Sequence, residues 1–515
     1  MGELHKALIR CATYPDKTSR VDYRETHISR LYLTDNLVYK IKKKVDLGFC
    51  NFNSLDRRRF YCEEEVRLNR RLAPDCYLGV STIVRQGNQF LIDQPGEAYE
   101  YAVRMRRLPQ ERMLVNQLCD PELAEKLFAN MTSIGQLLAR FHAKAPPVAK
   151  EIHNDQRSLL YYWHQNFDQT RHCPDSIIRP ATLKRLEQII MRYLHENYQL
   201  LETRQDLGYV RDGHGDLHCE HICLSEPIQI FDCIEFNPDL RYGDILNDLA
   251  FLYMDLELRQ RTDLAECLWQ SYIQKINPGP AAQSLLRFYC LYRAWVRAKV
   301  HFFQIHKPEA GIEHRWQARK YFHLASRYAL PPTLLLCYGM IGSGKSTLAR
   351  DLSLALHVPV ISSDLIRPKT KKLSKVSEDK TNRYSTENRL AVYRMLAKQA
   401  ETRLAQGRSL IVDATFETQQ MRKPLLDAAK HMAVPCYFIE TSCSPALIHK
   451  RLRERQADPQ QASGSEARVE DFERQRPRFE PLSTEHPRIG VDTGQPREYN
   501  VDFLLEKLLD ACGTL

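Results

Sequence analysis

Nowhere does this sequence hold an apolar run near the ~18 residues that cross a bilayer, and no low-complexity tract interrupts it. Both absences argue against a spanning or fibrous protein. The opening MGELHKALIRCATYP has no signal-peptide apolar core, and Lys6 breaks the N-myristoylation pattern, so neither secretion nor a lipid anchor is expected. CxxC pairs are missing although there are fifteen cysteines, an odd number, which fits reduced thiols in a cytoplasm better than a disulfide framework. A polybasic block is missing too. The net charge of +10 divides about evenly before and after Pro331, which disfavours nucleic acid as a partner while leaving a polynucleotide acceptor open. Local clusters such as Lys40 to Lys44, Lys369 to Lys375 and Arg451 to Arg455 suit phosphate handling or a solvated face.

What is present is an ordinary globular composition, 43% hydrophobic and 27% charged over 515 residues. At ~150 residues per domain that length calls for two to four domains. The most informative stretch is Thr333 to Arg350, TLLLCYGMIGSGKSTLAR. An apolar strand breaks at Gly339, Met340, Ile341, Gly342, Ser343 and Gly344, and a helix opens on Lys345, Ser346 and Thr347. Glycines let backbone N–H groups turn inward onto phosphates at a helix N-terminus whose dipole already favours anions. Lys345 is placed to reach the β/γ-phosphates and Ser346 to offer a hydroxyl to Mg²⁺, with Thr347 close behind, so ATP is the expected ligand.

Around that loop the remaining segments alternate as strand and helix. Strands are predicted near 358–362, 409–413, 435–440 and 489–492, and helices near 386–406, 418–432, 444–456 and 466–476, which is a doubly wound α/β domain. Ligands of such a domain gather at the carboxyl ends of its strands. One end carries Asp364 and Arg367, an acid to accept a hydroxyl proton and a cation for an anionic group; as a bland alternative Asp364 caps a helix. A second carries Asp413, placed to order Mg²⁺ or simply to end its strand. Arg451 and Arg455 lie four apart on one helix face, where they either close over the transferring phosphoryl group or pair with Glu454 at the surface.

The first 330 residues read differently. RETHISRLYLTDNLVYKIKKK over 24–44 alternates as two strands about Thr34-Asp35-Asn36, with Lys40 inside the second. A helix from about Asn53 to Pro74 sets Glu65, Leu68 and Leu72 on one face, and strands recur at 80–85, 89–93 and 101–105. After Glu111 the pattern turns helical. Within that helical part VRDGHGDLHCEHICLSEPIQIFDCIE, residues 210–235, presents Asp216 and Asp232 around a short strand pair. His214, His218, Glu220, His221 and Cys223 suggest a transition-metal cluster, but their spacing fits no zinc pattern. From Leu246 to about Leu330 the chain is nearly all helical, and Pro331-Pro332 marks a boundary. Residues 1–330 are therefore expected as one domain, with a small lobe to about 108 and a helical lobe from about 109, and residues 331–515 as a second.

HGDLH, IFD, Gly243-Asp244 and Asp248-Leu249-Ala250 make residues 20–300 resemble the aminoglycoside phosphotransferase-like branch of the protein-kinase-like fold. The resemblance implies an α+β two-lobed domain in which Lys40 meets the α/β-phosphates, Glu65 is its helix partner with Glu64 as rival, and residues 105–109 form the adenine hinge. It also implies Asp216 as catalytic base and Asp232 as Mg²⁺ ligand. Where the family has an asparagine on the metal this chain has His221, a poorer Mg²⁺ ligand than an oxygen donor. The small-lobe hairpin offers Thr26, His27 and Ser29 in place of a glycine-rich loop. Residues 333–500 resemble small P-loop kinases of the polynucleotide kinase, zeta toxin and gluconate kinase type, implying roles in acceptor and phosphoryl handling for Asp364, Arg367, Arg451 and Arg455. The order of the two halves resembles a bacterial group of fused phosphotransferase and ATP-binding proteins. The implied function is transfer of the ATP γ-phosphoryl group to a hydroxyl of a small molecule at two sites. Two alternatives stay open: a P-loop kinase with a degenerate regulatory or substrate-binding partner domain, and an ATPase switch or polynucleotide-end kinase. Neither acceptor nor oligomeric state follows from the sequence.

Overall fold

The computed structural model describes residues 2–513 apart from 49, 308–309, 365, 367–385 and 458–467. Arg367 and the Lys369–Lys375 cluster lie outside the described residues. Chain contacts divide the protein into two compact units, one of residues 1–163 with 197–293 and one of residues 164–196 with 294–515. Among the described residues no helix is long and apolar enough to cross a membrane.

The first unit is built on a six-stranded antiparallel sheet ordered β1-β2-β3-β6-β4-β5. Its strands are β1 (Asp22–Glu25), β2 (Ser29–Leu33), β3 (Leu37–Lys42), β4 (Tyr77–Gln86), β5 (Gln89–Ile92) and β6 (Ala98–Arg106). The β2–β3 turn closes through Thr34, whose hydroxyl accepts the Leu37 N–H at 3.0 Å, as turn threonines do. Register then sets Lys40 opposite Leu31 of β2 and Val103 of β6. The helix Leu55–Asn69 starts at Ser54, whose side chain accepts the Arg57 N–H, and packs on β4 and β6. Glu65 thereby reaches the strand that carries Lys40, fully buried at 0% exposure. Below the sheet come helices Ala124–Lys144, Ile245–Leu258 and Thr262–Ile273, with two small ribbons, β7 (Val210–Asp212) with β10 (Tyr242–Asp244) and β8 (Ile222–Cys223) with β9 (Gln229–Ile230). Strand β1 and the first helix, Glu3–Leu8, were not foreseen from the sequence.

The second unit holds a five-stranded parallel sheet ordered β12-β13-β11-β14-β15, from β11 (Leu334–Tyr338), β12 (Val360–Ser362), β13 (Leu410–Asp413), β14 (Cys436–Ser442) and β15 (Arg488–Asp492). Every residue of β11 is buried, as a central parallel strand with covered faces requires. Alternate residues Leu334, Leu336 and Tyr338 pack with Leu396, Ala400 and Leu425 from helices Thr386–Leu404 and Gln419–His431. Leu335 shares the other side with Leu356 and Leu508. Burying each such leucine contributes about 1.5–3 kcal/mol. The final helix, Arg497–Cys512, packs with Pro180–Glu196 and Gly311–Ala329, where Arg319 Nη1 donates to Asp502 at 2.9 Å.

Candidate active sites

Side chains point to alternate faces of a strand, so Lys40 and Lys42 of β3 emerge together. Lys40 Nζ lies 2.7 Å from Glu65 Oε1 and 2.7 Å from Asp232 Oδ1. Lys42 Nζ donates to the other Glu65 oxygen at 2.8 Å and also to Glu235. Burial alone would depress both ammonium groups, but Asp232 and Glu65 hold Lys40 well above the usual lysine range, and Glu235 and Glu65 raise Lys42 likewise. Burial works against the Glu65 carboxylate too, yet Lys40 and Lys42 keep it below its ordinary value, whereas burial prevails at Glu235 and lifts it. Of the sequence-derived pair of glutamates, Glu65 is the one on the lysines. Glu64 instead pairs with Arg67 at the helix surface.

Asp216 and Asp232 converge on this cluster from below. Asp232 follows β9 with a φ of 64°, a left-handed conformation that aspartate tolerates better than most residues. Its N–H is held by the Tyr77 hydroxyl at 3.1 Å, and the next N–H by Asn69 Oδ1 at 2.8 Å. The HGDLH loop is clamped by Asp248, whose two oxygens accept the His214 and Gly215 N–H groups, each at 2.8 Å. His142 and Arg293 add bonds to Asp248 and to the Gly215 carbonyl. Asp216 and Asp232 side chains stay 34% and 40% exposed, so these carboxylates, unlike Glu65, remain open to a ligand. His221 stands between them, 3.5 Å from each carboxylate. Burial and the neighbouring His218 push its imidazole below the ordinary histidine value, against the pull of Asp216 and Asp232.

In the second unit the phosphate loop joins β11 to the helix Lys345–Leu356. Gly339 has no room for a side chain: a Cβ there would sit 2.5 Å from Thr441 Oγ1. Gly344 takes φ 92° as the helix N-cap, which L side chains resist. Lys345 is 8% exposed and folds back to donate to the Met340 carbonyl at 2.8 Å. Burial lowers its affinity for a proton, partly offset by Asp413 and Asp364. Asp413, at the end of β13, is raised by burial, partly offset by the nearby Ser346 hydroxyl and Lys345. Asp364 and Arg455 belong to the same electrostatic neighbourhood of Lys345.

Arg451 has a different station from Arg455. Its guanidinium donates to Thr493 Oγ1 at 3.0 Å and to the Thr493 carbonyl at 2.7 Å, and Thr493 Oγ1 donates onward to Ser343 in the phosphate loop at 2.7 Å. Gln475 Oε1 accepts the Ile341 N–H at 2.9 Å from another side. Thr493 and Gln475 escaped the sequence reading, as did Lys42 and Glu235. Alternation along β3 was the one available signal for Lys42, and a polar residue directly beyond the β15 strand end the one for Thr493.

The phosphotransferase enzyme family matches residues 61–289, which include Glu65, Asp216, His221 and Asp232 but not Lys40, and an AAA domain family matches residues 334–482. Uncharacterized proteins of Mycobacterium tuberculosis and Mycobacterium bovis are each 32% identical over 441 residues, spanning 83% of this chain and 84% of theirs. Among solved structures, a choline/ethanolamine kinase family protein from Mesorhizobium loti shares 12% identity over 64% of this chain and 95% of its own, with a TM-score of 0.39. A sugar kinase from Janibacter shares 21% identity over 35% of this chain and 95% of its own, with a TM-score of 0.28. A kinase-like fold in the first part and a P-loop kinase fold in the second agree with the geometry above, and together these domains make the protein a phosphotransferase. The chain, in which a phosphotransferase-family domain precedes an AAA domain, belongs to the family of those mycobacterial proteins.

Proposed function

We propose that the protein is a bifunctional, cytoplasmic, ATP-dependent kinase, with one site in residues 1–330 and the other in residues 331–515, each phosphorylating a hydroxyl of a small molecule. The observation that carries this reading is the glycine loop that opens the helix Lys345–Leu356, with Lys345 folded onto the Met340 carbonyl and Asp413 ending the strand paired with β11. Backbone N–H groups of 339–344 cradle the ATP phosphates, and Lys345 exchanges the Met340 carbonyl for a phosphate oxygen. Asp364 takes the proton of the acceptor hydroxyl as the phosphoryl group arrives, and Arg455, with Arg367, stabilises the charge that spreads over the transferring oxygens. Ser346 and Asp413 are hard oxygen donors that act on each other electrostatically, a set that fits Mg²⁺. That ion, when bound, neutralises phosphate charge.

In the first unit Lys40, oriented by Glu65, is the α/β-phosphate contact, and Asp216 is the base for a second acceptor. Here the donor set does not fit Mg²⁺, because His221 supplies imidazole between the two open carboxylates. That same residue supports a second reading, in which the first unit binds substrate or regulates its neighbour without turnover. Profiling a metabolite extract with ATP, using the intact protein, Lys345→Ala and Asp216→Ala, separates them. Two products, each lost with one substitution, support bifunctionality. A single product that survives Asp216→Ala sinks it.

A further inference from the structure

Three ligand-type side chains meet where spacing along the chain gave no metal pattern. The 3-10 turn Cys219–His221 gathers them. His218 caps the turn, its carbonyl accepting the His221 N–H at 3.0 Å, and the two rings lie tilted against each other with centroids 4.0 Å apart. Asp216 Oδ2 lies 3.6 Å from His218 Nε2 and 3.5 Å from His221 Nδ1. One ligand atom from each of the three residues falls within 4.8 Å of the other two.

Magnitudes separate the candidate ions. Octahedral Mg²⁺ at ~2.1 Å from its ligands sets adjacent ligand atoms ~2.9 Å apart and prefers oxygen. Tetrahedral Zn²⁺ at ~2.1 Å from nitrogen and oxygen sets them ~3.4 Å apart and accepts imidazole readily. The two Asp216 separations fall with the second geometry. Asp232 supplies the outer partner, with Oδ2 3.5 Å from His221 Nε2. With its proton on Nε2, facing that carboxylate, His221 turns the Nδ1 lone pair toward Asp216 and His218, the arrangement metal-bound histidines adopt. In the other tautomer Nδ1–H donates to the Asp216 carbonyl at 2.9 Å, a bond the ion replaces.

We propose that Asp216, His218 and His221 form a site for a zinc-class divalent transition-metal ion, oriented by Asp232 and with its fourth position open to water or an anionic oxygen. The site stands on ligand chemistry alone; with the ion bound, Asp216 is a ligand and does not serve as the base of the first unit, so metal loading and base catalysis at Asp216 exclude each other.

The test is titration of chelator-stripped, full-length protein with Co²⁺, a spectroscopic stand-in for Zn²⁺. A visible d–d band should saturate near one equivalent and be bleached by an equal amount of Zn²⁺. His218→Ala and His221→Asn should each weaken binding at least as much as the ~10–100-fold that loss of an outer partner causes. His301→Ala, which alters the separate His301–His314 contact, should leave the band in place. X-ray absorption of the zinc-loaded wild-type protein needs no variant and should show imidazole nitrogen and oxygen only. Absence of saturable absorption, a band undiminished in both His218→Ala and His221→Asn, or a sulfur shell at ~2.3 Å overturns the proposal.

Discussion

The two candidate sites, each proposed to hold a polyphosphate, are built by opposite means. The P-loop site is local: loop glycines, a helix N-terminus and a lysine come from a dozen consecutive residues. The site of the first unit is assembled from side chains distant in sequence, with Lys42 and Glu235 separated by 193 positions and Lys40 and Asp232 by 192. One depends on backbone conformation. The other depends on a balance of buried charges.

That contrast can be broken most sharply at the reacting groups. Asp216→Asn keeps the side-chain shape but removes the base, and transfer by the first unit is expected to fall by ~10²–10⁴-fold while P-loop transfer persists, as followed with labelled ATP and separated products. Lys345→Ala is the mirror experiment: P-loop transfer drops by ~10²–10³-fold, and concurrent loss of the other product would mean the sites are not independent.

Stability gives the next largest contrast. Glu65→Ala leaves Lys40 and Lys42 buried without their shared carboxylate and should destabilise the first unit by ~3–5 kcal/mol, read from a urea midpoint. Asp413→Asn, by contrast, replaces a buried carboxylate whose charge burial disfavours, and a smaller shift of ~1 kcal/mol is expected. Equal losses from the two substitutions would erase the distinction.

The smallest effect concerns pH. Burial would raise Asp248, but the His142 contact and the loop N–H groups overcome it and hold its carboxyl well below the usual range. A depressed folded-state value stabilises above the unfolded value near ~4, and that contribution fades as pH falls through it. Midpoints from pH 7 to 3 should therefore decline less steeply in Asp248→Asn, which is itself less stable at neutral pH by ~1–3 kcal/mol.

Legibility in the sequence followed the same divide. Strand β11, the loop and the helix after it could be read directly, because glycine placement and apolar runs encode them within a few residues. Hairpin β2–β3 and the Leu55–Asn69 helix were likewise readable from alternation and a proline stop. Lys42 with Glu235, and Asp248 as the clamp of the HGDLH loop, were hidden as partners, since nothing in one chain states which distant residues meet across a fold. Thr493 was hidden because it acts through a single hydroxyl at a strand end. Grouping of helices Pro180–Glu196 and Gly311–Ala329 with the parallel-sheet unit depends on docking of apolar faces, which composition around Pro331 does not reveal.

The Thr493 clasp bears on how the second unit can be divided. The AAA-domain match stops at residue 482, short of β15 and of the hydroxyl that links Arg451 to the Ser343 carbonyl. A fragment trimmed to that match would keep the whole glycine loop and still lack an edge strand, leaving β14 with an open row of peptide groups and the loop without its rear support. The smallest piece that preserves the loop's support therefore runs past the AAA-domain match to Thr493, and the segment after β15 is part of the loop's architecture.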